Sequence, residues 1–122
     1  MGNPTCGTLR ISIGLELERC NPSFIWSDDS RYLAVPWYFY RLGLFRRQRI
    51  VVIDTRERRA LASRETAYYY QPESFAAGRL VVTKQPFRSA KRVTWQIPAD
   101  LAGFKAINVL WTDAVQGDAD GR

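Results

Sequence analysis

The chain contains no histidine. That one absence removes Ser-His and Cys-His nucleophilic catalysis, imidazole metal ligation and histidine pH switching. An enzyme built on this sequence would have to work with carboxylates, tyrosine, lysine or cysteine alone. No nucleophile and base stand at a recognisable spacing, so the expectation is a protein that is not an enzyme. Cysteine is nearly absent as well. Cys6 and Cys20 are the only two, too few for a disulfide scaffold, and no Cys-x-x-Cys pair supports zinc or thioredoxin-type chemistry. A bridge between them requires their flanking segments to pair, and a reduced pair is the cytosolic expectation. No glycine-rich loop cradles a phosphate and no carboxylates fall at calcium-loop spacing, so no cofactor and no metal are expected. No apolar run approaches the roughly 20 residues that span a bilayer. The first residues carry no basic segment ahead of an apolar one, so a signal peptide is not expected, membrane attachment is not expected, and the expected compartment is the cytoplasm.

Lysine is scarce too. Of 18 basic residues only Lys84, Lys91 and Lys105 are lysines and the other fifteen are arginines, against 12 acidic residues, for a net charge of +6. Arginine forks onto carboxylates and phosphates and stacks on aromatic rings, which lysine does not. A GC-rich coding sequence would give the same bias.

What is present is the material of one domain: 122 residues, 46% hydrophobic and 25% charged. Apolar residues recur at a period of two. Ile11, Ile13, Leu15 and Leu17 alternate with polar neighbours over 10–18, which predicts a strand with one buried face. Asn21-Pro22 ends it. Phe24-Ile25-Trp26, Arg31 to Val35, Trp37 to Tyr40, Arg49 to Ile53, Ala60 to Ala62, Arg79 to Thr83, Arg92 to Ile97 and Phe104 to Trp111 read as further strands. Pro36 predicts a strand end, a bulge, or an N–H side facing an edge. Ser27-Asp28-Asp29-Ser30, 54–59 and Ala76-Ala77-Gly78 read as turns, and Arg41-Leu42-Gly43-Leu44 as the tip of a long hairpin over 31–54. Residues 98–103 suit one helical turn. No segment keeps a helical period for ten residues. The expected fold is all-β and antiparallel, in blade-like sheets or a small sandwich with no closed propeller. One mainly β domain is expected over 1–112 and a disordered tail over 113–122.

Two stretches superimpose. Phe24 to Val35 with Arg49 to Asp54 matches Tyr69 to Phe75 with Arg79 to Thr83 and Arg92 to Ile97. Leu33 to Leu80 spans 47 residues and Val51 to Val93 spans 42, near the ~40–45-residue period of propeller blades. The phrase Ile25-Trp26-Ser27-Asp28-Asp29-Ser30-Arg31-Tyr32-Leu33-Ala34, followed by Val51-Val52-Ile53-Asp54-Thr55, resembles a WD40-like β-propeller repeat. The resemblance covers about 22–97 and implies blade-like sheets and an interaction scaffold, not a chemistry. A closed ring needs at least four blades, and this length holds at most two.

Asp28 and Asp29 are adjacent, so in an extended segment they point apart and form no acid–base pair; turn formation explains them. Asp54 closes a strand and is expected to cap the next turn. The feature that stands out is residues 37–49. Residues 41–92 hold thirteen basic and four acidic side chains, a net +9, whereas the remaining 70 residues sum to −3. Trp37, Tyr38, Tyr40, Arg41, Arg46, Arg47 and Arg49 are therefore the candidate partner-binding residues. Aromatic and arginine side chains are the enriched anchors of protein interfaces, and the same pair of chemistries suits base stacking with phosphate contact. A protein partner is expected first and nucleic acid second; aromatics in the core with a solvated arginine rim would explain the same residues without any partner. Unblunted sheet edges add the expectation of a homodimer.

Overall fold

A computed structural model describes residues 7–11, 14–41, 45–85 and 90–111, with backbone alone for Tyr40, Arg41, Phe45, Gln85, Leu110 and Trp111. The expected tail over 113–122, Cys6 and the tip residues 42–44 lie outside the described residues. Eleven strands are described: β1 (Gly7–Ile11), β2 (Leu15–Cys20), β3 (Ile25–Trp26), β4 (Tyr32–Arg41), β5 (Phe45–Asp54), β6 (Arg59–Ala62), β7 (Tyr69–Ala76), β8 (Arg79–Gln85), β9 (Lys91–Gln96), β10 (Lys105–Ile107) and β11 (Leu110–Trp111). A short 3₁₀ turn, Ala99–Gly103, follows β9. All the pairings are antiparallel and fall into two sheets, with no closed barrel or propeller among the described residues.

The larger sheet runs β1-β2-β4-β5-β6-β10, with β3 alongside β4 and β11 alongside β2. The smaller is β7-β8-β9. The centre is the expected hairpin, β4 against β5, in register from Tyr32 opposite Asp54 to Arg41 opposite Phe45. Its inner half is buried on both faces. Leu33, Val35, Val51 and Ile53 pack with Leu15, Leu17, Cys20, Ala60 and Ala62 on one face. Tyr32, Ala34, Ile50 and Val52 pack with Tyr70, Phe75, Leu80 and Val82 of the second sheet, and with Ile97 just after it, on the other. A strand covered on both sides has no reason to alternate, hence the unbroken Ile50-Val51-Val52-Ile53.

Two expectations are corrected and one is narrowed. Residues 10–18 are not one strand but a hairpin, Leu9 opposite Leu17 and Ile11 opposite Leu15. Gly14 makes this possible: its φ is 101°, and its N–H donates to the Ile11 carbonyl at 3.0 Å. Pro36 neither ends nor bulges its strand; β4 passes through it opposite Ile50. Its carbonyl accepts from Asn21 N–H at 3.0 Å, so its nitrogen faces away from β5, toward the place where β4 changes partner from β3 to β2; of the three expectations for Pro36, this leaves an N–H side off the β5 ladder. Residues 104–111 form two strands instead of one, because β10 pairs with β6 and β11 with β2.

Candidate functional site

The predicted turn carboxylates are structural. The Ser27 hydroxyl donates to Asp29 Oδ1 at 2.6 Å and accepts from Tyr32 N–H at 3.0 Å, and Asp28 Oδ2 accepts from Ala77 N–H at 3.1 Å. Asp54 is fully buried. Its carboxylate accepts Nε and Nη2 of Arg31, both at 3.0 Å, and the N–H groups of Arg56 and Glu57, both at 3.1 Å. Oδ1 takes three of these donors and Oδ2 the fourth, so both oxygens are held by the chain's own turn and by Arg31 at the start of β4.

The outer half of the β4–β5 hairpin carries the aromatic and arginine residues, and the pleat divides them between its two faces. Trp37, Phe39, Arg47 and Arg49 share one face. Arg49 lies over Phe39 at 4.8 Å from the ring centroid, Arg19 over Trp37 at 5.4 Å and Arg47 over Tyr68 at 5.0 Å. Tyr38 and Arg46 share the other, with Arg46 4.6 Å from the Tyr38 centroid. The Arg49–Phe39 and Arg46–Tyr38 contacts are diagonal cross-strand pairs: Phe39 sits opposite Arg47 and Tyr38 opposite Gln48, each two residues from its arginine. Trp37 is half-buried and donates Nε1–H to the Glu18 carbonyl at 3.0 Å. Tyr38 is buried, whereas Arg46 is exposed. The predicted seven thus do not make one surface. The side chains of Tyr40 and Arg41 lie outside the described residues.

On the Tyr38 face, two segments absent from the candidate set stand up as walls. Asn21 pins the first: its N–H holds Pro36, its Oδ1 accepts Ser23 N–H at 2.9 Å, and its Nδ2 donates to the Tyr38 hydroxyl at 3.4 Å. Gln48, fully buried, pins the second. Its backbone exchanges two hydrogen bonds with Ala67, at 2.7 and 3.1 Å, and its Oε1 accepts Tyr70 N–H at 2.6 Å. Between the walls runs a cleft of about 600 Å³ lined by Asn21, Pro22, Ser23, Tyr38, Arg46, Tyr68 and Tyr69. Tyr68 is 49% exposed. The one sequence signal for this was the Tyr68-Tyr69-Tyr70 triplet, since a strand pointing Tyr70 into the core turns its neighbour outward.

Among the described residues no three metal-ligating side chains cluster, and no helix is long and apolar enough to cross a membrane. Compared with known proteins, the chain matches no protein-family model, no curated protein and no solved structure.

Proposed function

We propose that this chain is a protein-binding module that seats a segment of its partner in the cleft between residues 21–23 and 67–70. The observation that carries this is the cleft itself: walls tied down through Asn21 and Gln48, the exposed ring of Tyr68, and one exposed cation, Arg46, already stacked on Tyr38. Stacking lowers the rotamer freedom Arg46 loses on contact, and aromatic plus arginine is the composition of interface anchors. A nucleic-acid role is the second reading, favoured by the net +9 of residues 41–92. Two features favour the protein reading over it. The arginines point to both faces of the hairpin, and guanidinium groups already lie against the rings of Trp37, Tyr38 and Phe39 on which bases would stack.

The test is quantitative capture with the full chain, comparing the unaltered protein, an Arg46→Glu/Tyr68→Ala variant and an Arg10→Ala control on the far hairpin. Proteins retained by the first and third but lost by the second support the cleft. A retained set that is the same for all three overturns it. In parallel, anisotropy of labelled oligo-dT and oligo-U at about 50 mM salt is expected to show no binding; a steep salt-dependent signal would transfer the site to nucleic acid.

A further inference from the structure

The second sheet has one covered side and one open side. β7 is covered: Ala67 bridges to Gln48, Tyr70 N–H bonds Gln48, and Ala77 N–H bonds Asp28. β9 pairs with β8 and, among the described residues, with no other strand. Ile97 N–H donates to the Gly78 carbonyl at 2.7 Å, which sets the parity of the edge. Backbone groups of 91, 93 and 95 face β8, and those of 92, 94 and 96 face outward. Gln96 N–H is taken by Asp100 Oδ2 at 2.6 Å. Arg92 and Thr94 are left, among the described residues, with outward N–H and C=O groups that no other strand takes.

We propose that the outer edge of β9 accepts an extended acidic peptide segment as an added strand, at a surface separate from the cleft. Main-chain hydrogen bonds to Arg92 and Thr94 would supply the pairing, and charge would select the occupant. β9 reads Lys91-Arg92-Val93-Thr94-Trp95-Gln96, with two cations and no carboxylate. Lys91 and Arg92 are exposed, and exposed Arg79 lies opposite Gln96 at the other end. Edge cations of this kind blunt self-pairing, since a second copy would set basic β9 against basic β9. The same cations attract an acidic strand, whose side chains would alternate past Arg92 on the outer face and Lys91 on the inner.

The probe is a fluorescein-labelled, end-capped peptide, Glu-Val-Asp-Val-Glu-Val-Asp, with Lys-Val-Lys-Val-Lys-Val-Lys as its counterpart, titrated with the full chain. The acidic peptide is expected to bind roughly tenfold more tightly or better, and Arg92→Glu to reverse the order. Thr94→Pro removes an outward N–H without touching the β8 ladder and is expected to weaken binding about tenfold at an unchanged melting temperature. N-methylation of alternate peptide nitrogens is expected to weaken binding similarly and requires no change in the protein. Arg46→Glu is expected to leave this titration unaltered, which separates it from the cleft. Equal binding of both peptides, no binding at about 1 mM chain, or indifference to both Thr94→Pro and N-methylation would overturn the proposal. So would a dimer in sedimentation that Thr94→Pro dissolves, since the edge would then belong to a second copy.

Discussion

Asp54 ties the start of β4 to the end of β5 and to the turn that follows, through the forked bond from Arg31 and two backbone donors. Burial alone would push this carboxyl up. The Arg31 bond and the N–H groups of Glu57 and Arg56 outweigh it and hold the carboxyl below its ordinary range. A carboxyl depressed in the folded state stabilises above its unfolded value, about 3.9, and that stability is lost as pH falls through the lower folded value. Thermal melts between about pH 7 and pH 2 should show an acid limb that Asp54→Asn flattens; Asp29, shifted the same way by Ser27 and by Arg31 N–H, accounts for the limb that remains. Asp54→Ala is expected to cost about 3 kcal/mol at neutral pH by leaving its donors unpaired. An unchanged melting temperature would refute that account. Tyr32, beside it, predicts the opposite sign. Its hydroxyl is buried with no hydrogen-bond partner among the described residues, so Tyr32→Phe should leave stability level or raise it, read by the same melts.

At the scale of elements, the β7–β8 connection is the tightest spot. Ala77 and Gly78 both have positive φ, 53° and 77°, as a two-residue hairpin turn requires. A Cβ at Gly78 would sit 2.8 Å from the Ile97 carbonyl oxygen, which belongs to backbone and cannot swing away. Gly78→Ala is therefore expected to destabilise by about 1–3 kcal/mol in denaturant melts, whereas Ala77→Gly should be neutral or stabilising. Turns of this kind were legible in the sequence because Gly, Asp and Ser mark them at fixed offsets. The 31–54 hairpin was legible too, from its length and its two apolar strands. The β1–β2 hairpin was not, because a period of two runs from Ile11 to Leu15 without breaking step: the two face the same core as cross-strand partners, as they would along one strand. Pro36 left three outcomes open for a related reason. Whether a missing N–H matters depends on which neighbour that nitrogen faces, and the strand gives no sign of it.

At the scale of the molecule, the candidate cleft was legible only as a composition. The abundance of arginine and aromatics near 37–49 is written in the chain; the division of those side chains between two faces follows from register, and the walls come from residues 21–23 and 67–70, distant in sequence and brought in by Asn21 and Gln48. The same two-faced hairpin governs how the protein unfolds. Ile50 belongs to the core against the second sheet, Ile53 to the core against β2 and β6, and both lie on β5. If the hairpin couples the two cores, neither can melt while the other stands. Ile50→Ala and Ile53→Ala should each cost about 2–5 kcal/mol. Each should shift one common transition, with far-UV circular dichroism and tryptophan fluorescence coincident. Trp95 packs at the first core and Trp37 at the second, so fluorescence from single-tryptophan variants reports them separately. An Ile53→Ala protein whose Trp37 signal melts ahead of its Trp95 signal would show two independent cores, and the shared hairpin would then be a hinge between them instead of their common wall.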